Sequence, residues 1–254
     1  MSEPIIHTRN WIDSQCTFSS THGGNFSYLY DRGTTPSFST TGANNDLTLA
    51  YIYVYFFEGG VAQWRVIDGF IAQNYNFKYW VVDQWNGSSW VNVYANYSDD
   101  LSNRYIPVTQ FGTSALRVGV SVTKIADQEK TIGEFIACGL TYTPRDLSSY
   151  DTKWRERSKE IVLGDGSIHR VNVRNTSGRL GKYEARCRWT YLSKAERDNL
   201  KAIKEAGQPF LWQPESVNVP EEVYYVHWTN AWDDKYMSNY KGAGYEVVMD
   251  LKEV

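Results

Sequence analysis

Cysteine, histidine, methionine and proline are all scarce in this sequence of 254 residues, which has 3 Cys, 4 His, 3 Met and 7 Pro. Cys16, Cys138 and Cys187 are odd in number and far apart, which fits neither a zinc knuckle nor a disulfide framework. The four histidines, His7, His22, His169 and His227, are equally scattered. With no H-E-x-x-H pair, no G-x-S-x-G elbow, no Walker loop and no G-x-G-x-x-G turn, the chain offers no metal, cofactor, nucleotide or nucleophile constellation. A protein that is not an enzyme is expected. Long apolar runs are missing too: no window approaches 18 uncharged apolar residues, and MSEPIIHTRNWID has no apolar core behind a positive segment. A chain made in a cytosol and not inserted in a membrane is expected. Neither sign of charge dominates, with 26 Lys+Arg against 29 Asp+Glu. Residues 1–148 carry 9 against 13 and the remainder 17 against 16, so neither half has a basic footprint for nucleic acid.

Aromatics are plentiful, with 10 Trp, 19 Tyr and 10 Phe, and they alternate with Val, Ile and Thr as in strands that pack on one face. The length suits two domains of ordinary size, each able to bury a core. A polar, turn-rich stretch from Pro144 to Asp151 puts the boundary near residue 147, giving domains 1–147 and 148–254.

Helical patterning is absent except between Thr190 and Trp212. Ser193 and Glu196 form an S-x-x-E capping box, so a helix should begin at Lys194. KAERDNLKAIKEA is rich in helix formers, and Leu192, Leu200, Ile203 and Ala206 share one face. Gly207 supplies the left-handed residue that ends it and Pro209 forbids continuation, so the capped helix spans 193–207 and should bury its stripe on a sheet.

In the first half, residues 14–48 are Ser, Thr, Gly and Asn-rich and read as loops with short strands, anchored by Phe26, Tyr28, Tyr30 and Phe38. LTLAYIYVYFF reads as a strand covered on both faces. NFKYWVVDQW and SWVNVYAN flank Asn86-Gly87, the strongest hairpin signal, for which a type I′ turn with positive φ at both residues is expected. ALRVGVSVTKI and TIGEFIACGLTY add two more strands. Turn signals every 8 to 12 residues indicate an antiparallel jelly-roll β-sandwich.

In the second half, Gly164-Asp165-Gly166-Ser167 reads as a tight hairpin tip, short of the ligands a calcium or phosphate loop needs. KYEARCRWTY alternates Tyr183, Ala185, Cys187, Trp189 and Tyr191 against Lys182, Glu184, Arg186, Arg188 and Thr190, so one face is buried and the other offers charge to water or a neighbouring chain. A small β-barrel or sandwich with one helix is expected, and the chain as a whole is mainly β.

Two resemblances follow. Phe77-Lys78-Tyr79-Trp80, the run Trp85 to Val93, Ala115-Leu116-Arg117-Val118 and Ile132 to Ala137 resemble the closing strands of a galactose-binding-like, discoidin-type domain. That resemblance implies a sandwich whose loops at one end often hold a sugar or a membrane surface, and it would let Cys16 and Cys138 form an end-to-end disulfide, although a cytosolic origin favours thiols. It supplies no ligand residues. The loops around His22-Gly23-Gly24, Arg32, Glu58-Gly59-Gly60 and Asp99-Asp100 show no recognisable pocket, and Trp11, Trp64 and Trp85 are the candidates for stacking on a sugar, with core packing as their ordinary role.

The second rests on the order of elements after residue 148, on Leu192-Ser193-x-x-Glu196 through Gly207-Gln208-Pro209-Phe210, and on the final Gly244 to Val254. These are similar to the domain of long-tailed bacteriophage tail proteins found in distal-tail and baseplate-hub rings. It implies a structural protein of the virion tail, assembled in the host cytoplasm as a homo-oligomeric ring, partnered by tube, hub or fibre proteins, with the sandwich projecting as a decoration or host-surface glycan binder. The alternative is a lectin-like carbohydrate-binding protein with no ring role. A glycan-cleaving enzyme is a third reading, for which the carboxylate pairs Asp99-Asp100, Glu221-Glu222 and Asp233-Asp234 read by default as solvated loop charge.

Overall fold

The computed structural model describes residues 4–31, 37–155, 157–162, 168–173, 182–216, 219, 222–239 and 242–254. The chain forms two compact units, Arg9–Thr141 and Met1–Thr8 with Tyr142–Val254. The division thus falls at residues 141/142, ahead of the boundary expected near 147, and the first residues do not join the unit that follows them. The reason is long-range pairing: on β1 (Ile5–Asn10), residues Ile5, Ile6 and His7 pair antiparallel with Gln213, Trp212 and Leu211.

The first unit contains β2 (Thr17–Ser20), β3 (Phe38–Ser39), β4 (Ala50–Tyr55), β5 (Phe57–Glu58), β6 (Val61–Ala62), β7 (Arg65–Gln73), β8 (Phe77–Trp85), β9 (Trp90–Asn96), β10 (Asn103–Thr113), β11 (Ala115–Thr123), β12 (Thr131–Ile132) and β13 (Glu134–Tyr142). One sheet has the order β2-β4-β11-β8-β9, and β10-β7-β13 form an opposing group, all pairings being antiparallel. Between them lies one core. Ile52, Val54, Leu116, Val118, Val120, Trp80 and Val82 meet Phe70, Ala72, Ile106, Phe135 and Ala137. This is the expected mainly β sandwich.

Two local expectations are corrected. β4 is not covered on both faces: Ala50, Ile52 and Val54 are buried while Tyr51, Tyr53 and Tyr55 are only half-buried on the other side. The β8–β9 turn is not a two-residue type I′ turn, since only Gly87 of the pair has positive φ, at 98°. Instead the Asn86 side chain accepts from the Ser88 and Ser89 amides, at 2.9 Å each, and the Asn86 amide donates to the Ser89 carbonyl. An Asx turn over four residues replaces the tighter form, because asparagine can satisfy its own loop.

The second unit continues with β14 (Ser149–Arg155), β15 (Arg157–Val162), β16 (Ile168–Val173), β17 (Lys182–Leu192), α1 (Lys194–Ala206), β18 (Phe210–Gln213), β19 (Tyr224–Trp228), β20 (Asp234–Asn239) and β21 (Gly242–Glu253). Its sheet has the order β1-β18-β19-β21-β17-β14, with β20 on β21 and β15–β16 a separate hairpin. Tyr150 of β14 packs against Trp212 of β18 with ring centroids 6.4 Å apart, so strands remote in the order meet and the sheet curls on itself. The Gly164-Asp165-Gly166-Ser167 tip lies outside the described residues.

On β17 the predicted alternation holds from Tyr183 to Trp189, then breaks. Tyr191 takes φ 59° at a register shift against β21, and Leu192 turns inward in its place. Gly244 sits opposite, where a Cβ would stand 2.5 Å from the Tyr191 carbonyl carbon, so the bulge needs glycine there.

α1 has the predicted bounds. Ser193 accepts from the Glu196 amide at 3.2 Å, the Glu196 carboxylate accepts from the Ser193 amide at 2.7 Å, and Gly207 closes the helix at φ 61°. Leu200 is fully buried, contributing about 1.5–3 kcal/mol by area. Ile203 is half-buried against the same core, and Ala206 is exposed, so the buried stripe is shorter than expected.

Candidate functional site

The outward side of the five-stranded sheet carries an aromatic face with one ion pair at its centre. Because side chains alternate along a strand, the residues between the core positions of β4, β11 and β8 must point away from the core. Those residues are Tyr51, Tyr53 and Tyr55 on β4, Arg117 on β11, and Tyr79, Asp83 and Trp85 on β8. Register then sets neighbours: Arg117 stands beside Tyr53 on one side and Asp83 on the other, Asp83 beside Asn92, and Trp85 beside Trp90.

The rings form a connected series. Centroids are 6.1 Å apart for Tyr51 and Tyr53, 6.4 Å for Tyr53 and Tyr55, 5.8 Å for Tyr53 and Trp90, and 5.4 Å for Trp90 and Trp85. Arg117 lies 4.9 Å from the Tyr51 ring and 5.1 Å from the Trp90 ring, within cation–π range. Its Nε and Nη2 donate to Asp83 Oδ2 at 2.9 and 2.7 Å, while Asn92 Nδ2 donates to Asp83 Oδ1 at 3.0 Å. Partial burial disfavours the Arg117 charge, but the hydrogen bonds and attraction of Asp83 outweigh it and raise the guanidinium pKa. An ionised carboxylate has about four lone-pair sites, so Asp83 retains acceptor capacity after these three bonds.

The three tryptophans singled out from sequence fall in two places. Trp64 is 57% exposed and lies by the β8–β9 turn, where a Cβ on Gly87 would stand 3.8 Å from its ring and one on Gly112 3.5 Å. Trp85 is half-buried on the aromatic face. Trp11 is elsewhere: its indole N–H donates to the Val66 carbonyl at 2.8 Å, Arg9 and Arg65 lie 5.7 and 4.9 Å from its ring, and its Nε1 would be 2.0 Å from a Cβ on Gly139. Those contacts make Trp11 a seam between chain segments. Sequence reasoning missed Trp90, the tyrosines of β4, and the pairing of Arg117 with Asp83. The signal for the tyrosines was the alternation Ala50-Tyr51-Ile52-Tyr53-Val54-Tyr55, hidden by treating the whole run as apolar.

The predicted loop tips are mostly structural. Asp99 is buried and accepts from Tyr75 Oη at 2.8 Å, Trp80 Nε1 at 3.0 Å, Arg104 Nη2 at 2.9 Å and the Leu101 amide at 3.0 Å. Asp100 pairs with Lys78, Glu58 with Arg65, and Asp234 with Arg197. His22 Nδ1 is 2.9 Å from the Thr21 hydroxyl. Arg32 and Glu221 lie outside the described residues, as does the His169 side chain. His7 is buried and His227 exposed. Among the described residues no three His, Cys, Asp or Glu side chains come together as a metal site. Cys16 and Cys138 are both free thiols, so the disulfide that the family resemblance allowed is not formed. Burial pushes the Cys16 thiol up to about 11 and the Cys138 thiol well above its ordinary value.

No protein-family model and no curated protein matches this chain. Among solved structures, the chain is similar to a mutant of chitosan-binding module 1 from the chitosanase/glucanase of Paenibacillus sp. IK-5, at 18% identity over 53% of this chain and 99% of that one, TM-score 0.42. It is also similar to the family 32 carbohydrate-binding module of Streptococcus pneumoniae EndoD, at 10% identity over 51% and 98%, TM-score 0.42. A third is the family 32 module of Clostridium perfringens NanJ in complex with galactose, at 12% identity over 54% and 99%, TM-score 0.41.

Proposed function

We propose that this protein binds carbohydrate, and that the aromatic face of the first unit makes the contact. The observation that carries this reading is the ion pair of Arg117 and Asp83 set among Tyr51, Tyr53, Trp90 and Trp85. A sugar has an apolar face of C–H groups and a rim of hydroxyls. Half-exposed rings receive the first, and an anchored carboxylate with spare lone pairs accepts from the second. A glycan array probed with the purified protein tests it: binding to defined glycans is expected and is lost with Trp90→Ala, whereas an array with no signal overturns it.

A second reading, a structural component of a bacteriophage tail tip in a homo-oligomeric ring with other tail proteins, is favoured by one observation in the second unit. The outward face of β14, β17 and β21 presents Asp151, Lys153, Glu184, Arg186, Asp250 and Lys252 along a groove of about 770 Å³. A face that carries both signs can pair with a different patch of the next copy, the head-to-tail contact that closes a ring. Mass measurement and electron microscopy of the purified protein test it: rings support the reading and a strict monomer absent from virions removes it. The two readings are compatible, with the sandwich then acting as a host-surface glycan binder on the virion.

A further inference from the structure

Resting on the carbohydrate-binding reading, we propose that the aromatic face takes an uncharged polysaccharide lengthwise, across several sugar units, and not one terminal sugar.

Size is the first argument. The rings run without a break from Tyr51 through Tyr53 and Trp90 to Trp85, in steps of 5.4–6.1 Å, and cross from β4 to β9. Trp90 reaches back from β9 over Arg117 to within 5.8 Å of Tyr53, so the rings make one contiguous row and not patches confined to single strands. Four rings set at such steps give a sugar chain about two to three places to stack. Trp64, 57% exposed, lies beside the β8–β9 turn, whose Gly87 is two residues from Trp85, as a separate ring for a longer chain to reach. A terminal sugar would use one or two of these rings and leave the rest uncovered.

Charge is the second. Arg117, the cation at the centre of the face, already spends two of its donors on Asp83, and the pair carries no net charge. The unit it belongs to holds 8 Lys+Arg against 11 Asp+Glu, or −3. Uronic or sulfated chains would meet repulsion, and single-stranded nucleic acid, which also stacks on aromatic platforms, would lack the basic groove it requires. The face offers Asp83 as an acceptor and the tyrosine hydroxyls and indole N–H groups as donors, which suits a ligand whose hydroxyls do both. A proline-rich peptide, the other common occupant of aromatic grooves, presents carbonyl acceptors to those donors but few N–H groups for Asp83, and so matches half of the face.

The test is calorimetric titration of the full chain with neutral oligosaccharide series, cello- and N-acetylchito-oligosaccharides of one to six units, with polygalacturonate oligomers, heparin fragments and a proline-rich peptide alongside. For a bound neutral series, affinity should rise tenfold or more between the monosaccharide and the tetrasaccharide. Trp90→Ala should lower tetrasaccharide affinity about tenfold. Trp64→Ala, at an exposed position that leaves the fold intact, should weaken only the longer members. Equal affinity for one and four units, or tighter binding of the anionic chains, overturns this inference while carbohydrate binding stands. Trp90-dependent capture of the peptide alone, or no binding to any oligosaccharide, overturns both.

Discussion

Arg117 and Asp83 meet through two donors on one carboxylate oxygen, Nε at 2.9 Å and Nη2 at 2.7 Å, on adjacent strands of the five-stranded sheet. Asp83 is 6% exposed and the Arg117 side chain 25% exposed, so the pair sits at the edge of solvent, where screening weakens it without abolishing it. Its stronger effect is geometric: it holds the guanidinium 4.9 Å from the Tyr51 ring and 5.1 Å from the Trp90 ring. Arg117→Leu should therefore cost about 1–3 kcal/mol in urea unfolding, mainly by leaving a nearly buried carboxylate with Asn92 alone. Adding Asp83→Leu to that variant should recover part of the loss, a coupling that a double-mutant cycle measures directly.

Acid should destabilise the first unit through Asp99. Burial on its own would raise this carboxyl's pKa, but bonds from Arg104, Trp80, Tyr75 and the Leu101 amide prevail and lower it below 3.8. The unfolded chain then binds the proton first, so the stability this group supplies is complete above its unfolded pKa and is lost as pH falls through the lower folded value. Urea midpoints between pH 6 and pH 2 should fall below about pH 4, and Asp99→Asn should flatten that part of the curve while lowering stability by about 2–3 kcal/mol at neutral pH.

Lys130 is almost fully buried, and its ammonium donates to the Ala43 and Asn45 carbonyls at 2.6 and 2.7 Å. Lys130→Met should leave those carbonyls without this donor and cost about 1–3 kcal/mol. Amide exchange should accelerate around residues 40–46 before it does elsewhere. Unchanged protection there would show that the loop is held by other bonds.

In the second unit, Leu200→Asp should unfold the domain by burying an unpaired charge, whereas Leu200→Ala should cost about 2–5 kcal/mol and leave it folded. Limited proteolysis with mass mapping distinguishes these from an effect on the first unit. A Leu200→Asp protein that stays folded and only loses self-association would assign Leu200 to an intermolecular face.

Ser193→Ala removes the acceptor for the Glu196 amide and should cost about 1 kcal/mol. Arg145 bonds both to Glu196 and to the Tyr191 carbonyl, so the loss should appear at the end of β17 as well as in α1. Thermal melts combined with backbone chemical shifts read both.

The sequence by itself determined what depends on neighbours along the chain. Ser193, Glu196 and Gly207 set both ends of α1, and the alternation from Tyr183 to Trp189 set which side of β17 is buried, because caps, left-handed residues and pleats are satisfied within a few residues. The β8–β9 hairpin was legible at Asn86-Gly87, though not its turn, since the Asn86 side chain competes locally with the backbone for the Ser88 and Ser89 amides. Of the candidate site, only Trp64 and Trp85 were singled out from sequence, and that Trp64 lies by the β8–β9 turn came from the tertiary structure. Tertiary structure alone decided that Ile5–His7 pair with Leu211–Gln213, that Leu192 replaces Tyr191 in the core, and that Arg117 and Asp83, 34 residues apart, meet among the rings of Tyr51 and Trp90. Strand order and register arise from sheet pairing across the whole unit, and no local preference encodes which outward-facing side chains become neighbours.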